Sequence, residues 1–366
     1  MRRFLSFRDF DWALLGLLLL LCTISCIEVH SATVHTKFAG FGTRQIFWVA
    51  AGVAAMFIFS RIDYHRVVDW APWAYGVGLL ALAAVLSPLG HKALGGRRWI
   101  KLGPILLQPS EFVKLVLIVM VARYFANLGG RSVTWREIFK AFVLVGIPML
   151  LVLRQPDLGT TLTYAPILIA GLFLGGINLR QSLILLTVGA VLAGGIWESG
   201  KFLKPYQKAR LTSFVNPQSD PRGSGYQVLQ SEIAVGSGGI WGKGLEKGTQ
   251  TQGYFLPIPY TDFIFAAFSE EHGFVGAFFV LLLYFLILMR LIQNAQTAAD
   301  LSGSLIIMGI VAVLTFQIAV NVGMVIGLMP VTGIPLPLMS YGGSSVLFTF
   351  LALGVAMNVR MRRFVN

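Results

Sequence analysis

The chain alternates long apolar runs with short polar segments, and the runs are long enough to cross a lipid bilayer. Runs of about 17–25 apolar residues are typical of membrane-spanning helices. Ten such runs predict ten spans, at 12–29, 44–60, 71–89, 109–127, 138–153, 157–176, 180–197, 263–290, 303–329 and 340–359. The pattern therefore predicts an all-α, polytopic integral membrane protein.

One polar segment, 198–261, is far longer than the others and separates the seventh run from the eighth. It is rich in Gly, Pro, Ser and Gln, and its stretch 226–233 predicts a short helix lying at the membrane interface. Loops of this length usually serve binding or catalysis. Because no separate soluble region follows, residues 1–366 are predicted to form a single integral domain.

Composition and charge place this domain in a membrane. The 366 residues are 56% hydrophobic and only 12% charged. The net charge of +13 comes from basic residues scattered over loops and ends, which favours membrane topology over nucleic-acid binding. With the N-terminus inside, the inner segments hold fourteen Lys and Arg and the short outer segments hold seven. The positive-inside rule then places both termini in the cytoplasm and 198–261 outside.

The predicted outer loop 95–101 opposes this charge bias because it carries Arg97, Arg98 and Lys101. Arginine suits diphosphate because its planar fork can donate two hydrogen bonds at once. The alternative is attraction to lipid headgroups, with Trp99 as an interfacial anchor. The loop is therefore a candidate anion site.

Three ionisable residues stand near the predicted outer ends of two further spans. Glu111 and Lys114, at i and i+3, can pair on one helix face, either as a structural ion pair or with the lysine aimed at phosphate. Asp157 opens the sixth span, where an acid usually caps the helix and a catalytic role is the minority alternative.

Two glycine-rich segments are candidates for ligand contact. The run 236–244 resembles a phosphate loop, but Ser237 and Gly244 stand where that motif needs Gly and then Ser or Thr. A flexible loop whose backbone approaches a ligand is the better interpretation, with Lys243 as a substrate-binding candidate. Segment 340–345 opens the tenth span, where Ser344 and nearby N–H groups could receive an anion or simply allow tight packing.

Asp262 is the most informative residue, because an acid at the membrane boundary costs free energy to desolvate and usually has a function. The alternative is an N-cap for the eighth span, supported by the neighbouring Thr261. Glu270 and Glu271 cannot share a narrow helix stripe with Asp262, so they are predicted to have separate partners. All of these candidates fall at predicted outer ends, which suggests acid–base chemistry on a lipid-linked diphosphate substrate.

Seven ordered motifs then resemble a known family: Gly96-Arg97-Arg98-Trp99-Ile100, Gln108-Pro109-Ser110-Glu111-Phe112-Val113-Lys114, Gln155-Pro156-Asp157-Leu158-Gly159-Thr160, Ile233-Ala234-Val235-Gly236-Ser237-Gly238-Gly239, Gly242-Lys243-Gly244, Thr261-Asp262-Phe263-Ile264-Phe265 and Ser340-Tyr341-Gly342-Gly343-Ser344-Ser345. Over nearly its whole length the sequence resembles the RodA/FtsW (SEDS) peptidoglycan glycosyltransferases. Segment 330–337 resembles the RodA, or elongation, branch.

The resemblance implies a ten-helix enzyme that polymerises lipid II, with inversion, on the outer face of the bacterial plasma (inner) membrane. It implies that Asp262 is the essential acid and that Arg98, Glu111, Lys114 and Asp157 are site positions. It also implies a class B penicillin-binding protein and other elongation-complex membrane proteins as partners. No metal-ligand set is apparent, and a divalent cation (Mg²⁺ or Mn²⁺) is left open.

One departure and two alternatives accompany this resemblance. Residues 257–260 read Pro-Ile-Pro-Tyr, whereas the family commonly has Glu-x-His before Thr-Asp, so no role is carried over for that His or Glu. The first alternative is a lipid II flippase, which would need ionisable groups along the spans. The second is a scaffold that recruits the transpeptidase and tolerates charge reversal at Arg98 and Asp262.

Overall fold

The computed structural model describes residues 9–93, 96–103, 105–199, 205–221 and 223–363, so the first eight residues and Gly95 lie outside the described part. Within it, each of the ten predicted spans coincides with a helix of 17 residues or more. They are α1 (Trp12–Ser31), α2 (Phe41–Arg61), α3 (Tyr64–Leu86), α4 (Pro109–Ala126), α5 (Trp135–Arg154), α6 (Leu158–Leu174), α7 (Leu179–Ser199), α11 (Ile264–Gln296), α12 (Leu301–Val325) and α13 (Gly343–Met361).

Several helix boundaries differ from the hydropathy pattern, and two of the differences have clear local reasons. α3 begins at Tyr64, before its apolar run, because the Asp63 side chain caps it by accepting the N–H of His65. α12 ends at Val325, and Gly327 follows with a φ of +71°, a conformation that glycine adopts without steric cost. Capping and turn residues therefore set these ends, which hydropathy does not detect.

In the described part of the chain, six helices are long and apolar enough to cross a membrane: α1, α2, α3, α11, α12 and α13. α6 and the first part of α7 are apolar but shorter. The chain is accordingly a multi-pass membrane protein. The number of ten crossings, the outer position of 198–261 and the cytoplasmic termini stay predictions.

The last two helices form the centre of the bundle. In α13 and α12, 72% and 61% of the most apolar stretch is buried, against 17% in α3. α13 packs along α2, whereas α12 packs against α11, α6 and α4. A Cβ added to Gly354 of α13 would lie 2.8 Å from the carbonyl oxygen of Met56 in α2. The small residue therefore permits close packing of two helix backbones, as is common in membrane bundles.

The prediction of an all-α fold is wrong in one place. A three-stranded antiparallel sheet precedes α4, with strands β1 (Gly90–Ala93), β2 (Gly96–Leu102) and β3 (Ile105–Leu107) in sequential order. Gly90 pairs with Ile100, and Ile100 pairs with Leu107. The strands are too short to give a clear alternating pattern, so the segment resembled a charged loop.

The long polar segment is structured over its described residues, 205–221 and 223–261. It contains α8 (Pro205–Val215), a 3₁₀ turn at Pro217–Ser219, α9 (Ser224–Ser237) and α10 (Thr249–Gln252). α9 includes the predicted helix 226–233 and packs on α11 and α12, burying Ser231 and Ala234. This segment therefore forms part of the packed body around the start of α11.

Candidate functional site

Asp262 lies immediately before the start of α11 and does not cap it. Among the described residues, Phe263 holds the N-cap position and no side chain makes a capping hydrogen bond. The backbone carbonyl of Asp262 accepts a 2.9 Å hydrogen bond from Asn321 Nδ2 of α12, and the same amide donates to the carbonyl of Ile334 at 2.8 Å. The N-cap alternative for Asp262 is therefore wrong.

The residues just before Asp262 are held from the other side by the segment that leads into α13. Ser340 Oγ donates to the carbonyl of Thr261 at 2.6 Å, and Tyr341 N donates to the carbonyl of Tyr260 at 2.9 Å. Three consecutive carbonyls, at 260, 261 and 262, thus accept hydrogen bonds from distant parts of the chain. The backbone that carries the acid is fixed before any ligand arrives.

The carboxylate of Asp262 is half-buried and lies among charged groups from distant segments. Burial raises its pKa above the ordinary aspartate value, whereas the positive charges of Arg210 and then Arg98 lower it, and the negative charge of Asp157 raises it. A Cβ added to Gly333 would lie 3.4 Å from Asp262 Oδ2, so the loop before α13 also reaches the acid. The site therefore combines one proton acceptor with two guanidinium groups.

Asp157 links the arginine of the sheet to the starts of three helices. Its Oδ1 caps α6 by accepting the N–H of Thr160 at 3.1 Å and lies 3.9 Å from Arg98 Nη1. Its Oδ2 accepts from Gln108 Nε2 at 2.9 Å. The N–H of Gln108 in turn donates to Ser344 Oγ at 3.0 Å. The expected cap role of Asp157 is confirmed, and Arg98, Asp157 and Ser344 belong to one connected set.

The N-terminal ends of α4, α6 and α13 meet at this set, because Gln108, Asp157 and Ser344 each lie at a helix start. Helix N-termini present unpaired N–H groups and partial positive charge. Together with Arg98 and Arg210, they make this end of the bundle electropositive around the two carboxylates. Such an environment favours phosphate groups.

Glu111 and Lys114 lie one turn further into α4 and form an enclosed ion pair. Lys114 Nζ is 2.7 Å from Glu111 Oε2, and the lysine side chain is fully buried. The ammonium group also lies 4.3 Å from the ring centroid of Phe348, a cation–π distance. The structure therefore shows Glu111 and Lys114 as a structural ion pair. Lys114 could contact a ligand only if this pair opened.

Lys243 belongs to a different cluster. Its ammonium group donates to Glu270 Oε1 at 2.8 Å and to Ser237 Oγ and Thr249 Oγ1, both at 2.7 Å. Glu270 is fully buried, so this pair neutralises a charge within α11. The prediction that Glu270 has its own partner is confirmed, and Lys243 is engaged there rather than beside Asp262.

The glycine-rich run 236–244 hydrogen-bonds to the backbone of α11 on both sides of Gly273, where the helix is interrupted and φ is +66°. Four backbone hydrogen bonds join the run to the broken helix: Lys243 N to Glu270 O (3.0 Å), Gly244 N to Glu271 O (2.9 Å), Phe274 N to Gly239 O (2.9 Å) and Val275 N to Ile240 O (3.1 Å). Gly242 has a φ of +80°, and an added Cβ would lie 2.6 Å from the carbonyl carbon of His272. The interpretation of the run as a flexible ligand loop is wrong, because its backbone is used against α11.

Tyr260 is packed in an aromatic group between α2 and the start of α13. Its ring centroid is 5.3 Å from Phe41 and from Phe38, and Phe41 stacks on Tyr341 at 4.3 Å. Burial raises the pKa of the Tyr260 phenol, and the neighbouring Tyr341 and Asp262 raise it further. Position 260 therefore holds a neutral packing residue in this chain.

Sequence reasoning missed two residues of the site. Arg210 of α8 lies near Asp262 and donates to the carbonyl of Thr332 at 3.1 Å. Its signal was the basic stretch of residues 201–210, which the charge count omitted with the rest of the long loop. Asn321 lies within the apolar run of α12, near its C-terminal end, where a buried amide needs partners. As for a metal, Asp262 and Asp157 are the carboxylates that could hold a divalent cation at this site.

The fold and the site define a polytopic membrane protein with an acid and two arginines at the converging starts of its helices.

Comparison with known proteins supports this class of protein. A family model described as "Cell cycle protein" (FTSW_RODA_SPOVE) matches residues 10–364. Stage V sporulation protein E of Bacillus subtilis (strain 168) is 39% identical over 95% of this chain and 96% of its own length. Peptidoglycan glycosyltransferase MrdB of Escherichia coli (strain K12) is 37% identical over 96% of this chain and 94% of its own.

Two solved structures share the fold over nearly the whole chain. The first, described as "Structural coordination of polymerization and crosslinking by a peptidoglycan synthase complex", has a TM-score of 0.83 at 32% identity and covers 98% of this chain and 99% of its own. The rod-shape-determining protein RodA of Thermus thermophilus has a TM-score of 0.72 at 28% identity and covers 98% of both chains. The chain belongs to the FtsW/RodA/SpoVE (SEDS) family, as predicted. The RodA-type neighbours support its RodA branch, although stage V sporulation protein E also matches.

Proposed function

We propose that the chain is a peptidoglycan glycosyltransferase that polymerises lipid II into glycan strands on the outer face of the bacterial plasma membrane during cell elongation. The observation that carries the proposal is the half-buried Asp262 carboxylate, which lies near Arg98 and Arg210 on a backbone held by three hydrogen bonds to consecutive carbonyls. The name of the MrdB relative supports the reaction class, and the names favour an enzyme over a lipid II flippase.

In the proposed reaction, Asp262 accepts the proton of the lipid II 4-hydroxyl as that oxygen attacks the anomeric carbon of the growing glycan. The new C–O bond forms as the bond from the anomeric carbon to the diphosphate oxygen breaks, with inversion. Undecaprenyl diphosphate leaves with the electron pair, and the guanidinium groups stabilise its charge. A raised pKa suits the carboxylate to this task, because a stronger base accepts the proton more readily.

The remaining candidates have supporting roles in the proposal. Asp157 and Ser344 orient Arg98 and the helix starts that face the diphosphate. The Glu111–Lys114 pair supports α4 beneath them and contacts the diphosphate only if it opens. Lys243 acts at a distance, by holding the break in α11.

Partners are also part of the proposal. The closely similar solved complex coordinates polymerisation and crosslinking. We therefore propose that this chain works with a class B penicillin-binding protein and with other membrane proteins of an elongation complex. Co-purification with the cognate transpeptidase, and rescue of cells depleted of a RodA-type rather than an FtsW-type protein, would test these assignments.

The function itself is tested by purifying Asp262→Asn with the cognate transpeptidase and supplying lipid II. Glycan polymerisation should fall by at least about 100-fold, the lower range for loss of a general base. Asp69→Asn is the matched control, because Asp69 is an exposed acid paired weakly with Arg123 at 3.9 Å. Normal glycan output from Asp262→Asn would overturn the assignment.

A further inference from the structure

Away from Asp262, three metal-ligating side chains converge where α1 passes the break in α11. They are Glu28 of α1 and the adjacent Glu271 and His272 of α11, and their donor atoms all lie within 4.8 Å of one another. The two glutamates are fully buried, at 0% and 1% exposure. The His272 side chain is 35% exposed, which leaves one side of the cluster open.

Glu28 is not satisfied by the polar groups around it. Neither of its carboxylate oxygens has a hydrogen-bond partner within the described part of the chain. The imidazole of His272 approaches it, with Nδ1 3.6 Å from Oε2. A buried unpaired carboxylate costs several kcal/mol, and a second carboxylate beside it adds repulsion. The cluster therefore requires a proton or a cation.

Glu271 is already oriented toward a shared site. Ser31 Oγ, one turn after Glu28, lies 2.7 Å from both of its carboxylate oxygens. Ser31 is itself fixed, because its hydroxyl accepts the N–H of Glu246 at 3.1 Å. Contacts of this kind orient ligating carboxylates in metal sites.

We propose that Glu28, Glu271 and His272 bind a divalent transition-metal ion such as Zn²⁺ or Mn²⁺. Two carboxylates and one imidazole suit such an ion, and its two positive charges cancel the two negative charges. Zinc bonds of about 2.0–2.2 Å place tetrahedral donors about 3.3–3.6 Å apart. The separation of Glu28 Oε2 and His272 Nδ1, at 3.6 Å, matches this spacing. Metal binding through Nδ1 replaces its weak 3.3 Å contact with the carbonyl of Phe268.

The site has a structural consequence for the half-helix that begins after Asp262. Glu271 and His272 are the last residues before Gly273, so they end the half-helix that begins after Asp262. An ion bound there ties this half-helix to α1. The metal thus acts as a positioning site at the far end of the segment, separate from the reacting atoms.

The test uses the full chain in detergent, purified without a polyhistidine tag and stripped with a chelator. After dialysis against micromolar Zn²⁺, mass spectrometry should find about one zinc per chain, and Co²⁺ should give visible absorption bands. Glu28→Gln, which is isosteric, and His272→Gln should each weaken binding by at least about 100-fold, since even outer-shell partners contribute 10–100-fold. His30→Gln is the matched control, because His30 is exposed and lies two residues beyond Glu28.

Three results would overturn the site. The first is a stripped wild-type chain that takes up neither Zn²⁺ nor Mn²⁺, and the second is unchanged affinity in a monodisperse Glu28→Gln variant. The third is loss of binding in Asp262→Asn, which would place the ion at the proposed active site instead. Because none of these measurements uses lipid II, failure of the proposed enzyme function would leave the metal result interpretable.

Discussion

Asn321 provides the sharpest test of how the fold holds the proposed catalytic acid. Its amide donates to the carbonyls of Asp262 and Ile334 at 2.9 and 2.8 Å, and the residue is fully buried. Asn321→Leu keeps a similar volume but removes both donors. Each carbonyl left without a partner costs about 1–3 kcal/mol, so the variant should lose about 2–6 kcal/mol of stability if neither finds a new donor.

The effect on polymerisation should exceed the effect on substrate binding. The lost amide no longer holds the backbone at Asp262, and a misplacement of about 1 Å can lower a rate by about 100-fold. We therefore expect kcat for lipid II polymerisation to fall by about 10–100-fold with a small change in KM. Both values are measured on the purified complex, beside a melting curve of the same sample.

Gln317→Leu is the matched control for Asn321→Leu. Gln317 lies one turn earlier on α12 and is also buried, but no described hydrogen bond joins it to the residues around Asp262. Its polymerisation rate should stay within about twofold of wild type, because surrounding contacts to the acid are unchanged. Wild-type kcat and melting temperature in Asn321→Leu would refute the idea that this amide positions the acid.

Two further predictions follow from the loop and the charges. Gly242→Ala should lower the melting temperature by a few degrees, because a non-glycine residue at a φ of +80° costs about 1–2 kcal/mol and its Cβ meets the α11 backbone. The control is Gly236→Ala, in open space on α9, which should leave the melting temperature unchanged. Equal melting temperatures for the two variants would contradict the role of the run. The polymerisation rate should rise with pH as Asp262 loses its proton, which gives the pH–rate profile an acid limb. Arg210→Gln should move this limb to higher pH, because removing a nearby positive charge raises the pKa of the Asp262 carboxyl further. A limb that stays in place or moves to lower pH would contradict the proximity of Arg210.

Much of the architecture could be predicted from the sequence, because the signals are local. An apolar run of sufficient length defines a membrane helix whatever surrounds it, and each predicted run coincides with a described helix. The cap role of Asp157 was likewise predictable from an acid placed before a helix. The importance of Asp262 rested on its position at a membrane boundary and on the motif that surrounds it, and its catalytic role stays a prediction.

Pairings between distant segments could not be predicted, since they depend on which helix faces meet. Lys243 was a substrate-binding candidate because it lies in the glycine-rich run. Only the folded chain showed that its ammonium group pairs with Glu270 at 2.8 Å. The sequence left Lys114 either paired with Glu111 or aimed at phosphate, and only packing showed that the pair is enclosed. Arg210 and Asn321 lay in segments whose composition gave little reason to select them.

The apolar pattern by itself determined that this chain forms a bundle of membrane helices, because burial of the backbone in lipid demands helices wherever the side chains are apolar. Tertiary structure alone decided the partners of its few charged groups, including the meeting of Glu28 with Glu271 and His272 across the bundle. The physical reason is that hydrophobic burial is non-directional and is read along the chain, whereas ion pairs and hydrogen bonds need atoms within about 3 Å. Residues more than two hundred positions apart, such as Ser31 and Glu271 at 2.7 Å, reach that distance only when the helices have packed.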